Sequence, residues 1–232
     1  MKMTEFNTNQ TPIDFSFVST KTFDNFITGN NGAMITSLQL FAKSKDPNII
    51  SIFGKKSSGK THLCKATEKL SDKGTTYIDE KNMEFIEIED NVPSILIIDN
   101  VDLLLENYKT EEKIFTLVNE FILKNKKILV TSTSAFKKLK FQIPDLLSRL
   151  SSGLTFKINE LDDLSKIKVL KKFASERGLF LSPLVCDYII THFKRDLYYL
   201  CNSIKYLDQK SLSLKKKITI PFIKQIIDLK SN

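Results

Sequence analysis

The chain has 232 residues, 41% of them hydrophobic and 27% charged, and a net charge of +8. That length supports one sizeable core plus a small second one, with the composition of an ordinary globular protein. No apolar run approaches the roughly 20 residues that a membrane span needs. The polar start (Met1 to Phe17) has no apolar secretory region, and three widely spaced cysteines, Cys64, Cys186 and Cys201, fit neither a disulfide framework nor a zinc pattern. These features lead us to expect a cytoplasmic protein with no membrane partner.

Residues 1–20 read as a polar, mobile N-terminal arm. From Asn48 short apolar runs alternate with amphipathic stretches. Asn48–Phe53 reads as a buried strand and Gly59–Leu70 as a helix; Thr75–Ile78 is a weaker strand and Ser94–Ile98 a strong one. Glu111–Leu123 places Ile114, Leu117, Val118, Phe121 and Ile122 on one helical face. Lys127–Thr131 and Leu154–Ile158 complete five strands. The alternation predicts an α/β unit over 21–159, with a parallel sheet covered on both faces. After Glu160 the strand signal stops. Asp163–Arg177, a second helix opened by the cap and proline at Ser182-Pro183, a third over Arg195–Leu207 and a fourth over Pro221–Leu229 predict a small all-α unit over 160–232.

Charge is unevenly spread. Residues 160–232 carry 14 basic and 8 acidic side chains, most of the excess. Such a bundle could face DNA or an acidic partner; the plain alternative is a lysine-rich solvated surface, with Lys215-Lys216-Lys217 as a solvated loop. Only Arg149, Arg177 and Arg195 are arginines among the 35 basic residues. A chain so biased toward lysine is expected to keep arginine where a rigid bidentate fork is required.

The chemistry concentrates in Gly54-Lys55-Lys56-Ser57-Ser58-Gly59-Lys60-Thr61, which fits G-x-x-x-x-G-K-[ST] between a strand and a helix. Glycines at both ends let backbone N–H groups curl around phosphate oxygens, with Ser57 and Ser58 between them, and the helix N-terminus adds partial positive charge. Lys60 is expected to neutralise the β- and γ-phosphates of ATP or ADP, and Thr61 to offer its hydroxyl to Mg²⁺. Asp99, ending the apolar strand from Ser94, would hold that Mg²⁺ through water at the sheet edge where ligands of such folds bind. The alternative is a helix-capping aspartate. The next residue is Asn100, which cannot accept a proton, so weak intrinsic hydrolysis is expected unless Asp102 or another group substitutes. Ser132 and Thr133 could touch a γ-phosphate or merely cap their strand. Pro144-Asp145 opens a short helix that carries Arg149 to the rim. There it suits either an arginine finger acting on another subunit's nucleotide or an ordinary surface role. Arg195 could fold over the phosphates, or pair with a nearby acid such as Asp196.

Taken together these segments resemble AAA+ proteins of the DnaA clade, over roughly residues 17–230, and within it the Hda regulators of DnaA. Thr22 to Gly29 is similar to the segment that opens the DnaA ATPase domain and lines its adenine pocket. The resemblance thus implies nucleotide contacts at Phe26 and at His62, just after the phosphate loop. Ile95–Val101 resembles the Walker B region, 144–153 the box carrying the arginine finger at Arg149, and Lys194–Leu197 the box carrying the sensor arginine at Arg195. The tail Thr219–Ile227 and Asn100 are similar to Hda. Gln10-Thr11-Pro12-Ile13-Asp14-Phe15 resembles the peptide that docks on the β sliding clamp of DNA polymerase III, with Gln10, Ile13 and Phe15 as its contacts. The chain ends where DnaA would continue into its DNA-binding domain. It departs from the family at Thr131–Ser134, where relatives usually place Asp after a small residue.

The resemblance implies an α/β AAA+ P-loop domain with a five-stranded parallel sheet and a helical lid. It also implies a regulatory inactivator of DnaA, tethered to the clamp and so nucleoid-associated. Such a protein would stimulate hydrolysis of DnaA-bound ATP through Arg149 and could form homo-oligomers through AAA+ interfaces. An autonomous ATPase that loads a helicase or remodels a partner is the alternative.

Overall fold

The computed structural model describes residues 20–46, 48–72, 74–83 and 93–231. Gln10, Ile13 and Phe15 lie outside them. The chain divides into two compact units that meet between Ser165 and Lys166.

The first unit holds α1 (Gly32–Lys43), β1 (Ile49–Phe53), α2 (Lys60–Leu70), β2 (Thr75–Ile78), β3 (Ile95–Ile98), α3 (Tyr108–Leu123), β4 (Lys127–Ser132), α4 (Pro144–Leu150) and β5 (Leu154–Lys157). All five strands pair in parallel, in the order β2-β3-β4-β1-β5. The expected five-stranded parallel sheet is therefore observed. The two-residue period of a strand explains why it is covered twice. In β3, Leu96 and Ile98 face one core together with Ile114, Leu117, Leu146 and Leu150 of α3 and α4. Ile95 and Ile97 face the other, with Leu38 of α1 and Leu63 and Ala66 of α2. All four β3 side chains are fully buried, each contributing about 1.5–3 kcal/mol relative to exposure.

Two features differ from the sequence expectation. Helix α1 was not expected, although Met34, Ile35, Leu38, Phe41 and Ala42 bury one face at helical spacing. Strand β5 is largely exposed rather than buried, because it sits at the sheet edge. Gly153 precedes it, and a Cβ there would lie 1.9 Å from the Ile49 carbonyl oxygen.

Lys127 opens β4 and is almost wholly buried. Its Nζ donates to the carbonyl oxygens of Phe41 (2.7 Å), Ala42 (3.1 Å) and Ser44 (2.8 Å) at the end of α1. A helix C-terminus exposes unpaired carbonyls and partial negative charge, so a buried ammonium there satisfies both.

The second unit is all-α: the rest of α5 (Asp163–Ser175), α6 (Pro183–His192), α7 (Leu197–Leu214) and α8 (Ile220–Ser231). Its core includes Leu170, Ile189, Leu200, Ile204 and Ile223. Ser182 caps α6, with proline in its first turn, and Asp196 caps α7. Helix α7 starts two residues later and ends seven later than the sequence spacing suggested. Arg177 pairs with Asp208 at 3.2 Å, and Lys215 to Lys217 are exposed. Among the described residues no helix is long and apolar enough to cross a membrane.

Replacing Lys127 with Met keeps the stem but strands buried carbonyl groups. The variant should lose about 2 kcal/mol, seen as a lower urea midpoint of the α/β unit.

Candidate nucleotide-binding site

β1 lies inside the sheet between β4 and β5, and at its end the chain turns at once into the phosphate-loop sequence. The loop backbone has positive φ at Ser57 (59°) and Gly59 (101°), the kind of backbone in which N–H groups converge on an anion. Gly59 stands at the N-cap of α2, where no side chain caps the helix, so its first N–H groups are left for a ligand. The hydroxyl of Ser58 is buried without a hydrogen-bond partner. An orphaned donor in such a loop fits a phosphate oxygen.

Lys60 is almost fully buried. Its Nζ donates to the carbonyl oxygens of Gly54 (2.8 Å) and Lys55 (3.2 Å), bracing the loop from within. Burial lowers its pKa below the usual 10.5, against the opposing pull of Asp102 and Asp99. Lys55 forms an exposed ion pair with Glu160.

Asp99 is the hub of the site, buried at the C-terminal end of β3. Its Oδ2 accepts from Thr61 Oγ1 (2.6 Å) and Tyr77 OH (3.0 Å), and its Oδ1 from Thr131 Oγ1 (2.7 Å). Thr131 Oγ1 also accepts from the Asn100 backbone N–H at 2.9 Å. Cys64 Sγ approaches Asp99 Oδ1 at 3.8 Å. Burial, then the Asp99 charge, raise this thiol well above its usual range. Burial likewise pushes the Tyr77 phenol far up, so both side chains stay neutral donors. Thr61 and Asp99 together present a hydroxyl and a carboxylate, the hard oxygen donors that suit Mg²⁺.

Asn100 takes the left-handed conformation (φ 55°), for which asparagine is one of the better-suited residues. Asp102 is engaged: Thr133 donates to it through both its backbone N–H (3.0 Å) and its Oγ1 (2.5 Å). Ser132 Oγ bonds the Ser134 carbonyl oxygen.

Phe26 and His62 come together beside the loop. Their rings meet edge to face at 5.3 Å, and a Cβ on Gly59 would strike Phe26 at 2.6 Å. His62 Nε2 lies 2.8 Å from the Thr22 carbonyl oxygen. This segment is also fixed to the end of the sheet: the Asn159 N–H donates to Asn31 Oδ1 (2.7 Å), and the Asn31 amide donates to the Thr28 carbonyl oxygen (2.9 Å).

The structure thus joins Gly54, Ser57, Ser58, Gly59, Lys60, Thr61, His62, Phe26 and Asp99 around one loop. Arg149 is elsewhere, half-buried in the last turn of α4, its guanidinium 5.3 Å from the Phe115 ring. Arg195 is exposed ahead of α7 and belongs to the second unit. Sequence reasoning missed Tyr77, Cys64 and the Thr133–Asp102 pair. Strand register alone sets Tyr77 beside β3, and no sequence motif announces it.

With this geometry established, two family models match: "Hda, lid domain" over residues 163–227 and "Bacterial DnaA ATPase domain" over 67–157. An uncharacterised protein of Haemophilus influenzae is 30% identical over 228 residues, covering 95% of this chain and 99% of that one. The chain is a DnaA-clade, Hda-like AAA+ protein. Its fold is similar to domain III of the Thermotoga maritima replication initiation protein DnaA, with TM-score 0.75, 22% identity, 94% of this chain and 98% of that one covered. A replication initiator DnaA bound to AMPPCP and single-stranded DNA is 25% identical with TM-score 0.67, covering 84% of this AAA+ chain and 66% of that one.

Two outcomes follow for this AAA+ protein. Ser58→Ala removes an unpaired buried hydroxyl, so the unliganded protein should be no less stable. Nucleotide affinity, measured by calorimetric titration, should drop about tenfold for one lost charge-assisted bond. For Lys60, a phosphate beside the ammonium raises its pKa, so binding takes up a proton between the lowered free value and the raised bound one. Affinity should therefore decline as pH rises through the alkaline range below 10.5. Lys60→Arg, always charged, should flatten that slope.

Proposed function

We propose that this protein is a nucleotide-loaded regulator that stimulates hydrolysis of ATP on DnaA by presenting Arg149 in trans. Gly54, Ser57, Ser58, Gly59 and Lys60 would bind the phosphates of ADP or ATP, with Phe26 and His62 beside the base and Arg195 as the lid's contribution. Thr61 and, through water, Asp99 would hold Mg²⁺, which would supply charge neutralisation at the phosphates. The observation that carries the reading is the separation of two groups within one unit. The phosphate loop opens α2, whose buried face packs on one side of the sheet, while Arg149 ends α4, whose buried face packs on the other. An arginine set on that opposite layer suits a triphosphate on another subunit better than its own.

On that partner, water attacks the γ-phosphorus, the bond to the β–γ bridging oxygen breaks, and ADP and phosphate leave. Arg149 would stabilise the charge that develops on the transferring group. The weak intrinsic turnover implied by Asn100 favours this reading over an autonomous loader or remodelling ATPase. Asp102 is a poor substitute base, since Thr133 already occupies both its oxygens. In the same reading residues 10–15 tether the protein to the β sliding clamp, with Gln10, Ile13 and Phe15 as contacts, and so bring it to the replicated DNA. Direct DNA contact by the basic residues of the lid and homo-oligomers through AAA+ interfaces belong to the same proposal.

The test is ATP hydrolysis by DnaA with and without this protein, in the presence of clamp loaded on DNA. Arg149→Ala should retain ADP and clamp binding yet lose stimulation by at least about a hundredfold. Normal stimulation by that variant sinks the mechanism; steady ATP turnover by the purified chain alone, abolished by Lys60→Ala, favours the loader reading.

A further inference from the structure

Helix α4 has seven residues and a weak start of its own. Ile143 stands at the N-cap with no side chain able to cap it, and Pro144 follows. The two backbone N–H groups that lead into it, at Gln142 and Ile143, are bound from elsewhere. Glu111, in the first turn of α3 and fully buried, accepts from the Gln142 N–H at 3.0 Å and from the Ile143 N–H at 2.7 Å, one on each carboxylate oxygen. A buried carboxylate is costly unless hydrogen-bonded. Here both oxygens are used on the backbone that leads into the arginine helix.

One turn further along the same face of α3 stands Phe115, whose ring carries the Arg149 guanidinium at 5.3 Å. The two contacts therefore hold opposite ends of α4 from a single helix. The far end is closed by Ser51 of β1, whose hydroxyl donates to the Leu150 carbonyl oxygen, and by Ser152, whose hydroxyl donates to that of Arg149 at 2.7 Å. Along one face, Leu146 and Leu150 are fully buried in the core that contains Ile114 and Val118. A short helix held at both ends and along one face has little freedom to rotate about its axis.

We infer that α3 is the platform that aims Arg149, with Glu111 as a positioning residue and Phe115 as the rest for the guanidinium before a partner's phosphate takes it. This rests on the reading of Arg149 as a finger and adds what fixes its direction. A cation–π contact at a half-exposed site is weak beside a bidentate bond to phosphate, so the guanidinium can leave the ring without disturbing the helix. The carboxylate at Glu111 cannot be exchanged for an amide at no cost: Gln offers one acceptor oxygen and turns an NH₂ group toward the second N–H. Misplacing a transition-state contact by about an ångström can cost on the order of a hundredfold in rate.

The experiment uses the full chain with clamp loaded on DNA and ATP-bound DnaA, and compares wild type, Glu111→Gln, Phe115→Leu, Phe115→Tyr and Arg149→Ala. Glu111→Gln and Phe115→Leu should lower the maximal stimulated rate about tenfold or more. The half-saturating concentration of DnaA and the affinity for ADP should stay within about twofold. Phe115→Tyr keeps the ring and should stimulate normally, which a purely volume-filling role would not separate from Leu. Should Glu111→Gln fail to fold, the Phe115 pair still decides, since that side chain is only partly buried. Normal maximal rates for folded Glu111→Gln and Phe115→Leu, or an equal loss in Phe115→Tyr, overturn the inference while leaving the finger intact. If wild type itself gives no stimulation, both the finger and its platform fall.

Discussion

The carboxylate of Asp99 is the junction on which the site depends. It ends a strand buried on both faces, and three hydroxyls converge on it: Thr61 from α2, Tyr77 from β2 and Thr131 from β4. One charged group thus ties the phosphate-loop helix to three adjacent strands. A buried ion is tolerable only when so many donors serve it. The same bonds hold the Thr61 hydroxyl beside the carboxylate, which is the pairing a hard cation requires.

Buried charge is used in a second way, to finish helices that their own sequences leave open. Lys127 closes the C-terminus of α1 through three carbonyls. Glu111 satisfies the approach to α4 through two N–H groups. Each has the sign that the helix end prefers, and each comes from an element distant in sequence. Capping by remote charges fixes where a helix sits as well as whether it forms. The two helices concerned pack on opposite sides of the sheet, and α4 carries Arg149.

The family relation accounts for the architecture, and local departures from it give the chain its character. Asn100 directly follows Asp99, and its left-handed backbone suits asparagine. Thr133 has turned to Asp102 instead of standing free. The phosphate loop and these two residues lie at the same end of the sheet as Asp99. An arginine on the other layer of the sheet is consistent with catalytic help given to a partner.

The sequence by itself determined the phosphate loop, the acid at the end of an apolar strand, the five strands and the switch to an all-α second unit. These are properties of local spacing: glycine positions, two-residue alternation and helical stripes are all written within a few residues. Helix α1 was not read from the sequence, although its buried positions follow the same helical spacing. The tertiary structure alone decided that Tyr77 and Thr131 share Asp99, that Thr133 occupies Asp102, that Lys127 and Glu111 cap helices far from them in the chain, and that Arg149 rests on Phe115. Those pairings join residues about 20 to 90 positions apart, so they depend on strand register and helix packing, and no local pattern encodes which distant polar group will meet which helix end.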